Sequence, residues 1–491
     1  MLRDYLQLQL LSEDSGLLTV GVPLDIHGKQ VVLYAKLTCL LGDGDGLRSA
    51  LQWVGAAGVK PCFRHLNVLR KNSGRAEHDP NYVEITCSDP AMFRQWPEGE
   101  FRAAVDTVIE ARASCEAGDI PTARLVEIER AFGLKTTREG LLASAALRPH
   151  VEFQSVMRYD WVHTFLADGV LTCEAWRLID QMGRERIATQ ADLHAFLKQK
   201  WRIPRHRRHN GRSLDRIFDA YNSRANEQAR ALKCSASELI TLYGMLRHWV
   251  ETSLPLDDPR VAPYARCFFR ACVAVDVLIM AKRRAIPMKE AGVALRAALS
   301  AHQIAHQALY GSDHVKPKHH WAFDVCDHLE ADPWLFDAFV IERLHLRVRA
   351  VAEHCKELGK FEVSVLSGVI NDHARRLSDA TYAQGSMGRS LPFPGLQGAM
   401  VSDNLELAGA RVAVGDFVFR GNFELGIVVA CACDGGELFA IVDEWDKVAE
   451  VSLHSARWAS AGRRAVWKAS EVSECAAWQE RPAGQMLVVR M

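Results

Sequence analysis

The hydrophobic period of the chain changes at one place, and that change limits the fold more than any single motif. Between about residues 98 and 383, apolar residues recur at helical spacing. Phe101, Val105, Val108 and Ile109 form one stripe, and Leu239, Leu242, Leu246 and Val250 form another. Residues spaced three to four apart share one helix face. Ser235-Ala-Ser-Glu238 and Thr136-Thr-Arg-Glu139 have the spacing of capping boxes. A Gly/Pro/Ser-rich stretch from Gln384 to Gly395 ends the helical regime. Beyond it the segments beginning at Arg411, Asp416, Leu425, Glu437 and Met486 are short apolar runs separated by turns. That pattern predicts a small antiparallel barrel of the SH3-like or BAH-like size class. The chain is thus expected to be α+β and mainly helical.

Composition narrows the classes of function. Lys plus Arg and Asp plus Glu both number 60, so any nucleic-acid contact must come from a local patch. The longest apolar run, Ala271 to Ala281, contains Asp276 and falls short of the roughly 20 residues that span a bilayer. No membrane partner is expected. The first residues carry Asp4, Glu13 and Asp14, unlike a secretory signal. Thirteen cysteines, an odd number without regular spacing, fit reduced thiols in the nucleus or cytoplasm rather than a secreted disulfide framework.

Four constellations can carry chemistry. The β-branched run from Gln30 to Leu41 stops at Gly42-Asp43-Gly-Asp45-Gly46. A strand ending in acids presents carboxylates at a sheet edge, although the same residues also serve as a plain turn. Cys62-Phe-Arg-His65 and Asp160-Trp-Val-His163 share one spacing. Together they offer S, N, O and N ligands, a set zinc accepts; the other reading is a buried Cys with two hydrogen-bonded His. Lys318-His319-His320 and, further on, Phe339 to His345 with Glu342 and Arg343 fit ligands, phosphate contacts or an ion pair equally well. The densest basic stretch carries Trp201, Arg202, Arg205, Arg207, Arg208 and Arg212. Its Arg residues can pair with phosphates and its Trp can stack on a base, or the segment is a solvated loop.

The order of these pieces resembles the central block of CACTA and Plavaka DNA transposases. Leu41-Gly-Asp43, Gly55, Gly58 and Lys60-Pro-Cys62-x-x-His65 are similar to an acid at a strand end followed by a Gly-rich turn and Cys-x-x-Cys. Tyr159-Asp160-Trp-Val-His163 resembles the Asp-x-Met-His block, and Lys318-His319-His320 through Glu342-Arg343 the Lys-His-His and Phe-x-x-Glu-Arg region. The resemblance covers about residues 1–380. It implies an RNase H-like α/β core with a large helical insertion and DDE-type cutting and joining of DNA by carboxylates on two Mg²⁺ ions. It also implies Asp43 as one catalytic carboxylate, with Asp45 as the near alternative, and Glu342 as another, with Glu330 as fallback. It further implies a metal cluster of Cys62, His65, Asp160 and His163, with structural Zn²⁺.

The sequence departs from that pattern in three ways. Only 42 residues precede Asp43, so the family's upstream Asp has no match except the poorly placed Asp25, and the core is expected to be N-terminally truncated. Cys-x-x-His stands in place of Cys-x-x-Cys, and Val162 in place of the Met. The expected organisation is a partial core at 1–97, a helical domain at 98–383, a linker at 384–404 and the barrel at 405–491. The expected function is a transposase-derived DNA-binding protein with a degenerate active site. The alternatives are an active Mg²⁺-dependent transposase or nuclease, and a non-enzymatic chromatin or protein-binding scaffold. In the scaffold reading the barrel takes a protein partner through Trp445, Trp458, Trp467 and Trp478.

Overall fold

A computed structural model describes residues 2–26, 28–71, 79–199, 201–204, 214–338, 348–355, 360–378, 386–392, 399–407, 410–421, 424–452 and 454–490. The chain is α+β. It forms two compact units, each drawn from two stretches of sequence. The first joins Met1–Glu174 with Cys267–Ala338, and the second joins Ala175–Arg266 with Phe339–Met491. These units do not follow the consecutive segments expected from composition. Two of the crossings lie inside the helices Val170–Arg184 and Ala262–Lys282, where no loop signal marks them.

In the first unit the β-branched run beginning at Gln30 does not make one strand. Lys29–Leu33 pairs antiparallel with Val22–Ile26 as an exposed hairpin. Leu40–Gly42 pairs parallel with Met157–Tyr159, Gly42 lying opposite Tyr159. One run serves two different partners, and a single straight strand cannot reach both. The parallel pair brings the next residue of each strand, Asp43 and Asp160, to the same end, with Asp160 N–H donating to the Gly42 carbonyl at 3.0 Å. Among the described residues the strands of this unit remain in two-stranded pairs.

The core of the unit gathers Leu47, Leu51, Trp53, Phe63, Phe101, Val108, Tyr159 and Trp321. Burial of that many large side chains supplies the main driving force, at ~25 cal/mol per Å² of apolar surface. The 20-residue helix Glu98–Ala117 buries Phe101, Val105 and Val108 as its spacing predicts. Thr136 to Glu139 caps no helix. Gln52 ties the segment down instead, accepting from Thr137 N–H at 2.9 Å and donating to the Thr137 hydroxyl at 3.2 Å.

In the second unit the capping box at Ser235 is present. The Glu238 carboxylate accepts from Ser235 N–H at 2.8 Å, and the Ser235 hydroxyl accepts from Glu238 N–H at 3.1 Å. The helix it opens, Ala236–Ser253, buries Leu239, Leu242, Leu246 and Val250. The C-terminal strands form an antiparallel sheet in the order Phe417–Arg420, Val472–Glu480, Met486–Arg490, Ser455–Lys468, Glu437–Ser452 and Glu424–Asp434, followed by Met400–Ser402 and Ser390–Pro392. Phe417–Arg420 also pairs with Glu424–Asp434, so six strands close on themselves and leave no edge in the ring. Alternation divides the buried side chains into two clusters, one around Phe417, Phe419 and Trp458, the other around Val418, Val442 and Trp467. The four Trp weighed as a recognition surface all contribute to these clusters, Trp445 and Trp478 only half-buried. Trp458 and Trp467 are buried, and Trp445 and Trp478 pack edge-on against Phe417 at 5.2 and 5.3 Å between centroids.

Back in the first unit, the helices Met288–Tyr310 and Pro317–Ala331 cross closely at Gly292. A Cβ there would lie 2.9 Å from the Cys326 backbone oxygen and 2.6 Å from Glu330 Cγ. Alanine is favoured over glycine in a helix by about 1 kcal/mol, but a forced backbone shift costs about 1–3 kcal/mol. Gly292→Ala should therefore lower stability in denaturant titrations. Gly99→Ala, where a Cβ meets nothing within 4 Å, should leave it unchanged or raise it. Equal behaviour of the two variants would refute the close crossing.

Candidate metal centre

The turn that carries Cys62 and His65 is fixed from several sides. Trp53 Nε1–H donates to the Lys60 carbonyl at 3.1 Å, and Trp321 Nε1–H donates to the Pro61 carbonyl at 3.0 Å. Gln154 Nε2–H donates to the Phe63 carbonyl at 3.0 Å, and Arg64 Nη1–H donates to the Gln154 carbonyl. Backbone bonds from Leu66 N–H to Arg94 and from Trp96 N–H to Arg64 complete the frame. A turn held this way presents its side chains at a set position before any ligand arrives.

Opposite the turn lies the helix Pro317–Ala331. His320 and Asp324 are four residues apart and so share one face of it. Cys62, His65, His320 and Asp324 are all buried, and their donor atoms lie within 4.8 Å of one another. His65 Nδ1 sits at the middle. It is 3.5 Å from Cys62 Sγ, 3.0 Å from His320 Nε2 and 3.5 Å from Asp324 Oδ1, while Cys62 Sγ is 3.6 Å from Asp324 Oδ2. A ring nitrogen has one hydrogen or one lone pair, so it can satisfy one of these three neighbours by hydrogen bonding. The cluster has the ligand types and the spacing to hold a metal ion.

Burial sets the electrostatics of the cluster. Burial pushes the Cys62 thiol well up, with Asp324 adding to the effect. Burial also lifts the Asp324 carboxyl to about 8, against the pull of Arg64. His65 is lowered to about 3 by burial and by Arg64, and His320 is lowered by burial and by His65. Alone, the four groups are driven towards neutrality in a place that cannot solvate charge. A bound cation reverses that preference for the thiol and the carboxyl.

The two sequence pairs of equal spacing do not meet in one cluster. Cys62 and His65 are completed by His320 and Asp324 rather than by Asp160 and His163. Asp160 instead caps the short helix Trp161–Phe165. Its Oδ2 accepts from His163 N–H at 3.0 Å and pairs with His163 Nδ1 at 2.5 Å, and its Oδ1 accepts from Ala338 N–H at 2.9 Å. Asp43 caps the helix Gly44–Leu51, accepting from Gly46 N–H at 2.6 Å. Asp45 is exposed beside Arg48, and Glu330 pairs with Arg296 at 2.7 Å. Asp25 sits in the exposed hairpin, bonded to Gly28 and Gln30.

Glu342 and Arg343 lie outside the described residues, as do Arg205, Arg207, Arg208 and Arg212. Arg202 is described, and its guanidinium lies 5.3 Å from the Trp478 ring centroid. Asp324 was missed at the sequence level, and His320 was weighed as a ligand but not joined to Cys62 and His65. Their signal was an acid four residues after a His on a helix that begins at Pro317. No family model, curated protein or solved structure matches the chain.

Proposed function

We propose that the chain is a transposase-derived DNA-binding protein whose first unit is organised by a zinc ion on Cys62, His65, His320 and Asp324, and whose capacity to cut DNA is impaired. The single observation that carries the zinc reading is His65 Nδ1 facing three polar atoms at 3.0–3.5 Å. Zinc–ligand bonds of about 2.0–2.3 Å in a tetrahedron give ligand–ligand edges of roughly 3.3–3.6 Å. Three of the observed separations, 3.5, 3.5 and 3.6 Å, match that figure, and the His65–His320 separation of 3.0 Å is shorter, so the two rings would move apart by a few tenths of an ångström on binding. A thiolate and a carboxylate also cancel the charge of a dication, which favours burial of the whole set.

Impairment is supported by what the acids do. Asp43 and Asp160 follow adjacent parallel strands, an arrangement that can gather cations at a sheet edge, and this favours an Mg²⁺-dependent nuclease as the second reading. Yet Asp160 is fully buried and both of its oxygens accept hydrogen bonds, while Asp43 is committed to a helix N-terminus. Carboxylates engaged in this way have little left to offer a pair of ions. The DNA-binding part rests on the basic residues Arg202, Arg205, Arg207, Arg208 and Arg212.

Purified full-length protein should carry zinc by elemental analysis. Cys62→Ser and His320→Ala should each lower occupancy at this centre, and chelation should lower the thermal midpoint. The stabilisation at stake is roughly 4 kcal/mol when free zinc stands about 1,000-fold above its Kd. Full retention of zinc in both variants would remove this centre from the reading.

Two DNA measurements separate the functional readings. Nicking of supercoiled plasmid in Mg²⁺ or Mn²⁺ should stay at background. Cleavage that disappears in Asp43→Ala and Asp160→Asn would replace the impaired reading with the nuclease. Binding to duplex DNA should weaken steeply with salt, and replacing Arg205, Arg207 and Arg208 with Ala should reduce the log–log slope by roughly 3. Binding that ignores salt would sink the DNA-binding proposal.

A further inference from the structure

We infer that a second metal ion of the zinc class binds in the first unit, held by Glu174, Cys267, His302 and His306. These residues come from three helices. Glu174 lies on Val170–Arg184, Cys267 on Ala262–Lys282, and His302 and His306 on Met288–Tyr310. Two His four residues apart project from one helix face, the spacing by which a helix chelates a metal. Facing helices commonly build such centres in a shared core.

The four side chains are buried, and their donor atoms lie within 4.8 Å of one another. Glu174 Oε2 lies 3.0 Å from His302 Nε2 and 2.7 Å from His306 Nδ1. The second carboxylate oxygen accepts from the Tyr310 hydroxyl at 3.4 Å, one helical turn beyond His306. That bond orients the carboxylate from outside, as outer partners of metal ligands do.

Charge balance accompanies this geometry. Burial acts to raise the Glu174 carboxyl, but hydrogen bonds from His302 and His306 outweigh it and hold the group below the usual range. Burial and Glu174 both push the Cys267 thiol up, so a dication that binds there displaces the thiol proton. Thiolate, carboxylate and dication then sum to zero. Two imidazoles with one sulfur suit zinc and its neighbours, whereas Mg²⁺ and Ca²⁺ call for oxygen.

A neighbouring group of Cys173, His306 and His319 is a weaker candidate. His319 Nδ1 accepts from Lys316 N–H at 3.1 Å, so its ring hydrogen must sit on Nε2 and leaves no lone pair there. His319 packs against His306 at 5.1 Å between centroids and positions it.

Cobalt(II) titration of the full-length chain tests the inference, because each centre contributes one thiolate. The unsubstituted protein should take up two equivalents with sulfur-to-cobalt charge-transfer absorption in two steps. Cys62→Ser should retain one step, and Cys267→Ser should retain the other. His302→Gln should weaken cobalt binding in the Cys62→Ser background at least 10-fold, with circular dichroism reporting on folding. One step that survives in Cys62→Ser and vanishes in Cys267→Ser supports this centre even if the first fails. A single step lost in Cys62→Ser overturns it, because Glu174 is then satisfied by its histidines alone. No step in the unsubstituted protein overturns both centres, a result that needs no variant to fold.

Discussion

The first unit depends on where Trp321 puts its indole. The ring stacks on Tyr159 at 4.7 Å with planes 10° apart, and its N–H reaches the Pro61 carbonyl. A buried indole must find an acceptor or forfeit a hydrogen bond worth about 1 kcal/mol net and more when desolvated. Meeting that requirement joins three elements distant in sequence: a helix, a strand and the turn ahead of Cys62. The cluster is then assembled by apolar packing, and the polar groups follow. This explains how a set of ligands so costly to bury can be held in one place.

The same region shows two solutions to one electrostatic problem. Around His65 the buried groups are driven neutral, whereas around Glu174 an anion is retained by imidazole donors. In both places a low-dielectric core would reject unpaired charge. The difference lies in the outcome: one cluster keeps its protons and the other keeps a negative charge.

Much of the secondary structure was legible from the amino acids. The stripe from Leu239 to Val250 and its capping box read directly, because both are local. The change to strands after residue 395 read as well, since alternation is also local. Half of the candidate metal cluster, Cys62 and His65, was visible from spacing. The other half was misassigned because Asp160-x-x-His163 has that spacing too. Its Asp is used by the nearest backbone N–H groups, a local demand that a ligand reading overlooks. His320 and Asp324 come from some 255 residues away, and no periodicity reports a contact of that range. The interleaving of the two units escaped for a related reason: helices that run across a unit boundary carry no turn signal.

His319 and His320 are neighbours on one helix, yet one packs against His306 and the other against His65. Successive residues point about 100° apart, so the helix lies with a separate polar cluster on each side. Its rotation about its own axis is therefore set like a key between two locks. One inserted residue ahead of His319 would turn both rings out of place together. The tolerance of this segment to sequence change is governed by phase, and a swap of residue type that keeps the phase disturbs less than a single added alanine.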